Sequence, residues 1–336
     1  MDGSPRMLSV SLGSTAGTWS LPSRGIARQR TLATAIGCTG LGLHSGRKVG
    51  LVLRPAAPHS GVVFRRTDLG LDIPGRFDRV VASRLRTMVA HPDRPDAAVG
   101  TVEHLLAALA GCGVHNVVVE LDGPEIPALD GSAEPFAFLL DCAGVCDQDE
   151  PVAAVEVLRP VRVEQGDGFA ALLPGGPGFD MTLSIDFPAA AIGTQEMSIT
   201  LSPGTFRAAL ARARTFTLAT EVASLRAAGL GLGGGLGNTV VVEGDRVLNP
   251  GGLRMPQEFV RHKLLDAVGD LALAGAALHG RFVGHKSGHA LNNRLLRALF
   301  ADDANWAPLS PDMPPSVAAP LAGWRERHLQ AAAAPI

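Results

Sequence analysis

Phe259-Val-Arg-His-Lys-Leu-Leu-Asp266, followed one turn later by Asp270, reads as the heart of a long helix over 257–275. At i and i+4, His262 and Asp266 stack on one face of that helix. A second imidazole brought from elsewhere completes a set of two nitrogens and one oxygen, which on zinc leaves a coordination position open. Thr101-Val-Glu103-His104 supplies such an imidazole. Glu103 is then placed to handle the protons of a water held by the metal. Neighbouring helix positions point about 100° apart, so Glu103 and His104 do not chelate together. Each piece alone has an ordinary reading: a His–Asp pair is usually a hydrogen bond, and a lone His in an apolar helix is usually a satisfied polar residue. Their coincidence points to a zinc hydrolase. Asp270 reads either as a solvated helix charge or as a carboxylate that orients a ligand or a neighbouring His.

Outward from this helix the chain falls into two halves of similar pattern. Alternating, β-rich stretches predict strands at 48–54, 61–66 and 116–121, with helices over 101–110 (Thr101 as N-cap, Gly111 as stop) and about 134–144. The polar stretch Asp147-Gln-Asp-Glu-Pro151 is the expected domain boundary. Beyond it, strands are expected near 155–163, 169–173, 181–187, 239–243 and 280–284, and helices at 204–212, 219–228, 257–275 and 290–300. Strands followed by helices in each half give an α+β class, with helices packed on a sheet in two similar βα domains, 29–149 and 150–300. Residues 1–28 are expected to be a disordered extension, and 301–336 a loosely held Ala/Pro-rich tail.

Composition removes several functions. The 336 residues carry 30 basic and 32 acidic side chains, net −2, so no global field recruits nucleic acid. There is no Tyr, and aromatics are 4% of the chain, which argues against a base-stacking platform. Cys38, Cys112, Cys142 and Cys146 form no C-x-x-C pair, and Cys142 and Cys146 read as small apolar residues on one helix. A reduced, cytoplasmic protein is expected. No run of 18 apolar residues is present to span a bilayer. The run Gly229–Gly237 contains a G-x-G-x-x-G match, but it follows a helix and precedes a strand, the reverse of a dinucleotide fingerprint.

Three further positions stay open on residue type alone. His289, in Lys286-Ser-Gly-His289, sits on an expected loop and suits either solvent or a role in stabilising an oxyanion or passing a proton. Lys263 and Lys286 are either solvated or a source of local charge for phosphates. His44, in Gly40-Leu-Gly-Leu-His44-Ser-Gly46, occupies a Gly-rich turn without a clear task.

Over residues 30 to 300 the chain resembles the zinc-dependent UDP-3-O-acyl-N-acetylglucosamine deacetylases of lipid A biosynthesis. The resemblance is carried by Gly40-Leu-Gly-Leu-His44-Ser-Gly46, Thr101-Val-Glu103-His104-Leu105 and Glu125-Ile-Pro-Ala-Leu-Asp130-Gly-Ser132. It continues through Ala213-Arg-Thr-Phe216, Arg246-Val-Leu-Asn249, Glu258 to Asp270, and Lys286-Ser-Gly-His289-Ala-Leu-Asn-Asn293. It implies two βα domains face to face with helices between the sheets. It implies zinc on His104, His262 and Asp266, ferrous iron suiting the same ligands. Glu103 would be the general base, His289 the acid or electrostatic partner with Asp270 behind it, and Thr215 an oxyanion donor. Lys263, Lys286, Phe187, Phe216, Gly288 and His44 would bind a small UDP-acyl-sugar. A monomer is expected, free to touch the inner membrane peripherally. Two positions depart from the family pattern. Pro188-Ala-Ala-Ala191 lacks the Asn/Asp-His-Pro that often follows the Phe, and Leu218 replaces a frequent aromatic. Both departures fall in the nucleotide- and acyl-binding region.

Overall fold

The computed structural model describes residues 27–309. The expected extension therefore lies outside the described residues, except for its last two positions, and so does the expected tail beyond 309. The first half runs β1 (Arg28–Leu32), β2 (Ile36–Leu41), β3 (Lys48–Pro55), β4 (Val62–Arg66), β5 (Leu71–Pro74), β6 (Val80–Val81), β7 (Met88–His91) and β8 (Arg94–Gly100). It continues with α1 (Glu103–Cys112), β9 (Val117–Leu121), α2 (Glu134–Ala143) and β10 (Val145–Pro151). The second half runs β11 (Ala154–Val157), β12 (Val161–Gln165), β13 (Gly168–Leu173), β14 (Phe179–Asp186), β15 (Thr194–Thr200) and the single turn α3 (Pro203–Thr205). Then come β16 (Phe216–Leu218), α4 (Ala219–Ala227), β17 (Val240–Glu243), β18 (Arg246–Val247), α5 (Glu258–Ala272), β19 (Ala277–His285), α6 (His289–Phe300) and β20 (Trp306–Pro308).

Alternation builds the first sheet, ordered β2-β3-β9-β4-β5. On β3, Val49, Leu51 and Leu53 face inward while Lys48 and Arg54 face water, and the register sets Leu51 opposite Leu121 and Leu53 opposite Val119 of β9. A one-residue slip would turn all of these outward. The second, seven-stranded sheet centres on β19, which pairs with β14 in parallel and with β13 antiparallel. Inward-facing Met181, Leu183 and Ile185 of β14 carry its apolar face, and β14 and β15 pack against α5.

Helices α1 and α5 are buried on nearly every side; α1 is apolar nearly all round, whereas α5 carries Glu258, His262, Asp266 and Asp270 into the interior. They pack chiefly against each other. Their closest crossing is at Gly269, where a Cβ would stand 2.0 Å from the carbonyl oxygen of Glu103. A residue without a side chain is what lets the Glu103–His104 end of α1 lie directly on the helix carrying His262 and Asp266.

The α+β class holds, with differences in detail. Helix α1 starts at Glu103, and Thr101 is no N-cap. It has φ +56° and gives its hydroxyl to Glu125 Oε1 at 2.8 Å. The polar stretch at 147–151 is part of strand β10, which pairs with β1, because its outward carboxylates meet Arg28 and Arg30. The expected strand over 155–163 is two strands, β11 and β12. The expected helix at 204–212 is the α3 turn followed by a wider π-type turn at Phe206–Leu210. His289 opens α6 instead of standing on a loop. Cys142 lies in α2 and Cys146 in β10, and all four cysteines are free thiols. Part of the expected tail is ordered: Trp306–Pro308 adds a strand to β11. Strands β2, β5–β8 and β15 escaped the sequence reading: β5–β7 are only two to four residues long, and β2, β8 and β15 mix Gly, Pro or polar residues into their runs.

Candidate metal and acid–base site

His104 from α1 and His262 and Asp266 from α5 converge in the buried crossing. The two rings lie 4.9 Å apart, nearly perpendicular. Asp266 Oδ1 is 3.5 Å from His104 Nε2 and 3.3 Å from His262 Nε2. Bonds of about 2.0–2.1 Å to one tetrahedral centre would set neighbouring ligand atoms roughly 3.4 Å apart, so the spacing suits a single cation. Buried Asp266 Oδ1 has no hydrogen-bond partner among the described residues. A buried, orphaned carboxylate oxygen between two imidazoles is what a metal ligand looks like without its ion. The donor set fits zinc or ferrous iron with one position open.

The surroundings prepare each ligand. His262 Nδ1 lies 3.0 Å from the carbonyl oxygen of Ala213, which makes it the N–H donor and leaves Nε2 as the free lone pair. Burial, with His104 beside it, lowers the His262 pKa to about 4, so the ring is neutral as a ligand must be. Burial opposes the charge on Asp266, yet its cationic neighbours outweigh it and hold the carboxyl well below the usual range. With His262 neutral, Lys263 is the cation that matters, its Nζ 2.8 Å from Asp266 Oδ2. Lys263 thus meets the carboxylate of the candidate ligand Asp266, while the resemblance assigns it to the substrate.

Glu103 is 3% exposed, and its Oε2 accepts the N–H of Thr87 at 3.0 Å. Burial raises its pKa, against the pull of His289 and His104. Its Oε1 lies 3.9 Å from His289 Nε2. The other ring nitrogen of His289 donates to Asp270 Oδ2 at 2.9 Å. Burial disfavours the imidazolium, but the carboxylates of Asp270, Glu103 and Asp266 push the His289 pKa up to about 9. Asp270 also accepts from Thr87 Oγ1 at 2.5 Å and Asn292 Nδ2 at 2.9 Å.

The segment before α5 is pinned to this cluster by a buried ion pair. Glu258, in the first turn of α5, takes Arg214 Nε at 2.8 Å and the backbone N–H groups of Arg214 and Arg254. Thr215 is held beside it by backbone bonds to Gly131 and Val240. The Phe216 ring meets His262 at 6.3 Å and Phe187 at 5.4 Å, both edge-on. His44 is buried, and neither ring nitrogen has a hydrogen-bond partner among the described residues. Burial lowers its pKa to about 4, leaving a neutral ring. Gly288 forms the extended N-cap of α6. Lys286 stands apart from the ligand triad, its ammonium between Asp167 at 2.7 Å and Asp186 at 3.0 Å.

Sequence reasoning missed Thr87, Asn292 and Asp167. Asn292 is three residues after His289 on one helix, a spacing that could have flagged it; Thr87 and Asp167 carry no local signal. Cavity size does not locate this chemistry. A cavity of about 610 Å³ opens near the other ends of α1 and α5, bordered by Leu106, Leu109, Val268 and Leu271, and touches none of the triad or acid–base residues.

The sequence model for UDP-3-O-acyl N-acetylglycosamine deacetylases matches residues 29–301. The chain is 48% identical over 283 residues to the UDP-3-O-acyl-N-acetylglucosamine deacetylase of Acidithiobacillus ferrooxidans, covering 83% of this chain and 92% of that protein. It is 46% identical over 301 residues to the enzyme of the same name from Idiomarina loihiensis, covering 88% and 97%. Against that of Pseudomonas entomophila it is 47% identical over 283 residues, covering 83% and 92%.

Proposed function

The chain belongs to the family of UDP-3-O-acyl N-acetylglycosamine deacetylases, and from that premise we propose how its own residues carry the reaction. It is a hydrolase of lipid A biosynthesis that removes the acetyl group of UDP-3-O-acyl-N-acetylglucosamine, giving acetate and the free amine. The observation that carries the assignment of the site is the orphaned Asp266 oxygen between His104 and His262, with Glu103 and the His289–Asp270 pair alongside.

Held by His104, His262 and Asp266, zinc would acidify a water toward a pKa of about 7 and polarise the acetamide carbonyl. Glu103 takes the proton of the attacking water at Oε1, since Oε2 is engaged by Thr87. Its burial-raised pKa brings it nearer the working range of a general base. His289 enters as a cation, stabilises negative charge developing on the carbonyl oxygen and passes a proton to the departing glucosamine nitrogen. Thr215 donates its hydroxyl to the same oxygen. Phe187 lies near the nucleotide or its phosphates, while Phe216, His44 and Gly288 line the substrate site. Lys286 meets the phosphates, exchanging Asp167 and Asp186 for them, and Lys263 adds positive charge while holding Asp266.

The same reading expects a cytoplasmic monomer, free to touch the inner membrane peripherally, divided into domains at 29–149 and 150–300. No helix among the described residues is long and apolar enough to cross a membrane. Chelator-treated protein, reloaded with zinc, should release acetate from UDP-3-O-acyl-N-acetylglucosamine. No release, or equal release from simple N-acetyl sugars, refutes the proposal.

A further inference from the structure

We propose that Thr87 is a positioning residue that ties the base Glu103 and the His289–Asp270 pair into one unit, an inference that rests on the deacetylase reading above. Thr87 lies just before β7, 183 residues from Asp270, and is 2% exposed. Its two donors serve two different partners. The backbone N–H bonds Glu103 Oε2 at 3.0 Å, and the hydroxyl bonds Asp270 Oδ1 at 2.5 Å.

Each bond has a separate consequence. The first occupies one carboxylate oxygen of Glu103 and leaves Oε1 free on the side of His289 Nε2. The second joins those from His289 Nδ1 and Asn292 Nδ2, so three donors from two segments, the residue before β7 and the first turn of α6, hold the Asp270 carboxylate, which is 1% exposed. A carboxylate gripped this way is not free to rotate, and the His289 ring that leans on it is fixed with Nε2 toward Glu103. Only a residue offering both a hydroxyl and a main-chain N–H meets both needs at this point. An apolar side chain would leave Asp270 Oδ1 short of a donor in a buried place.

The test compares Thr87→Val, isosteric but lacking the hydroxyl, with Thr87→Ser, which keeps it. Thr87→Val should lower kcat about 10–100-fold, the usual effect of losing a partner that orients a site residue. KM should stay within about twofold and zinc content unchanged. Thr87→Ser should recover kcat to within about threefold of wild type, and Thr87→Val should add little to an Asp270→Asn background. In metal-free protein the low-field ring N–H signal of His289 should move upfield in Thr87→Val. The proposal is overturned by kcat within twofold of wild type in Thr87→Val, by equal losses in the Ser and Val variants, by full additivity with Asp270→Asn, or by an unmoved His289 signal. If the Val variant fails to fold, Thr87→Ala is judged by the same criteria. A wild-type protein that releases no acetate sinks the deacetylase reading itself, whereas an active wild type with an indifferent Thr87→Val sinks only the role of Thr87.

Discussion

Replacing Gly269 by Ala probes whether the tight crossing of α1 and α5 sets the geometry of the site. The added Cβ would stand 2.0 Å from the Glu103 carbonyl oxygen, 2.8 Å from its carbon and 3.0 Å from its Cα. Ordinary contact begins near 3.4 Å, so α1 must retreat by about 1.4 Å. Two effects oppose each other. Ala is favoured over Gly inside a helix by about 1 kcal/mol. Overpacking costs about 1–3 kcal/mol, and a clash between main chains, with no flexible side chain to yield, belongs at about 3. The clash wins by about 2 kcal/mol, a fall in midpoint of roughly 3 °C for a chain of this size. Activity should fall further, because Glu103 and His104 ride on α1 while His262 and Asp266 ride on α5. A misplacement of about 1 Å is enough to lose about 10²-fold. Thermal melts, zinc content at fixed free zinc and kcat on one preparation decide it. A wild-type midpoint refutes the packing argument. A lowered midpoint with full zinc and full turnover refutes the claim that this crossing sets the ligands.

Glu103→Gln should retain zinc yet lose about 10²–10⁴-fold in turnover, and near-normal turnover removes Glu103 as the base. Asp266→Ala deletes the orphaned oxygen, so atomic absorption should find little zinc; a stoichiometric load would reject it as a ligand. Glu258→Gln should destabilise by about 3–5 kcal/mol by leaving Arg214 buried without its countercharge. Its pH signature follows from the sign of the shift. Burial alone raises the Glu258 carboxyl, but Arg214 and the backbone N–H groups more than offset it, so the folded pKa lies below the ordinary 4.5. The stability it contributes is complete above that ordinary value and lost as pH falls through the lower folded one. Urea titrations from about pH 3 to 7 should therefore show a flatter acid limb in Glu258→Gln; a limb as steep as wild type would contradict the assignment.

Local periodicity was enough to single out the candidate ligands. His262 and Asp266 are paired by the 3.6-residue repeat of one helix, Glu103 and His104 open another, and the inward Val49, Leu51 and Leu53 follow from a period of two. Those patterns act over a few residues and survive whatever the rest of the chain does. Hydrogen-bond partners and charge neighbours obey no such rule. That Thr87 reaches Asp270, that Ala213 orients His262, that Lys263 turns to Asp266 and that Asp167 and Asp186 capture Lys286 depend on which segments packing brings within about 3 Å. Thr101 shows the same division: its local context favours a helix cap, but buried Glu125 takes its hydroxyl and turns its backbone to positive φ. The sequence by itself determined which chemistry the two helices carry. Tertiary packing, through the Gly269 contact, decided how closely those helices meet and which side chains hold the reacting groups in place.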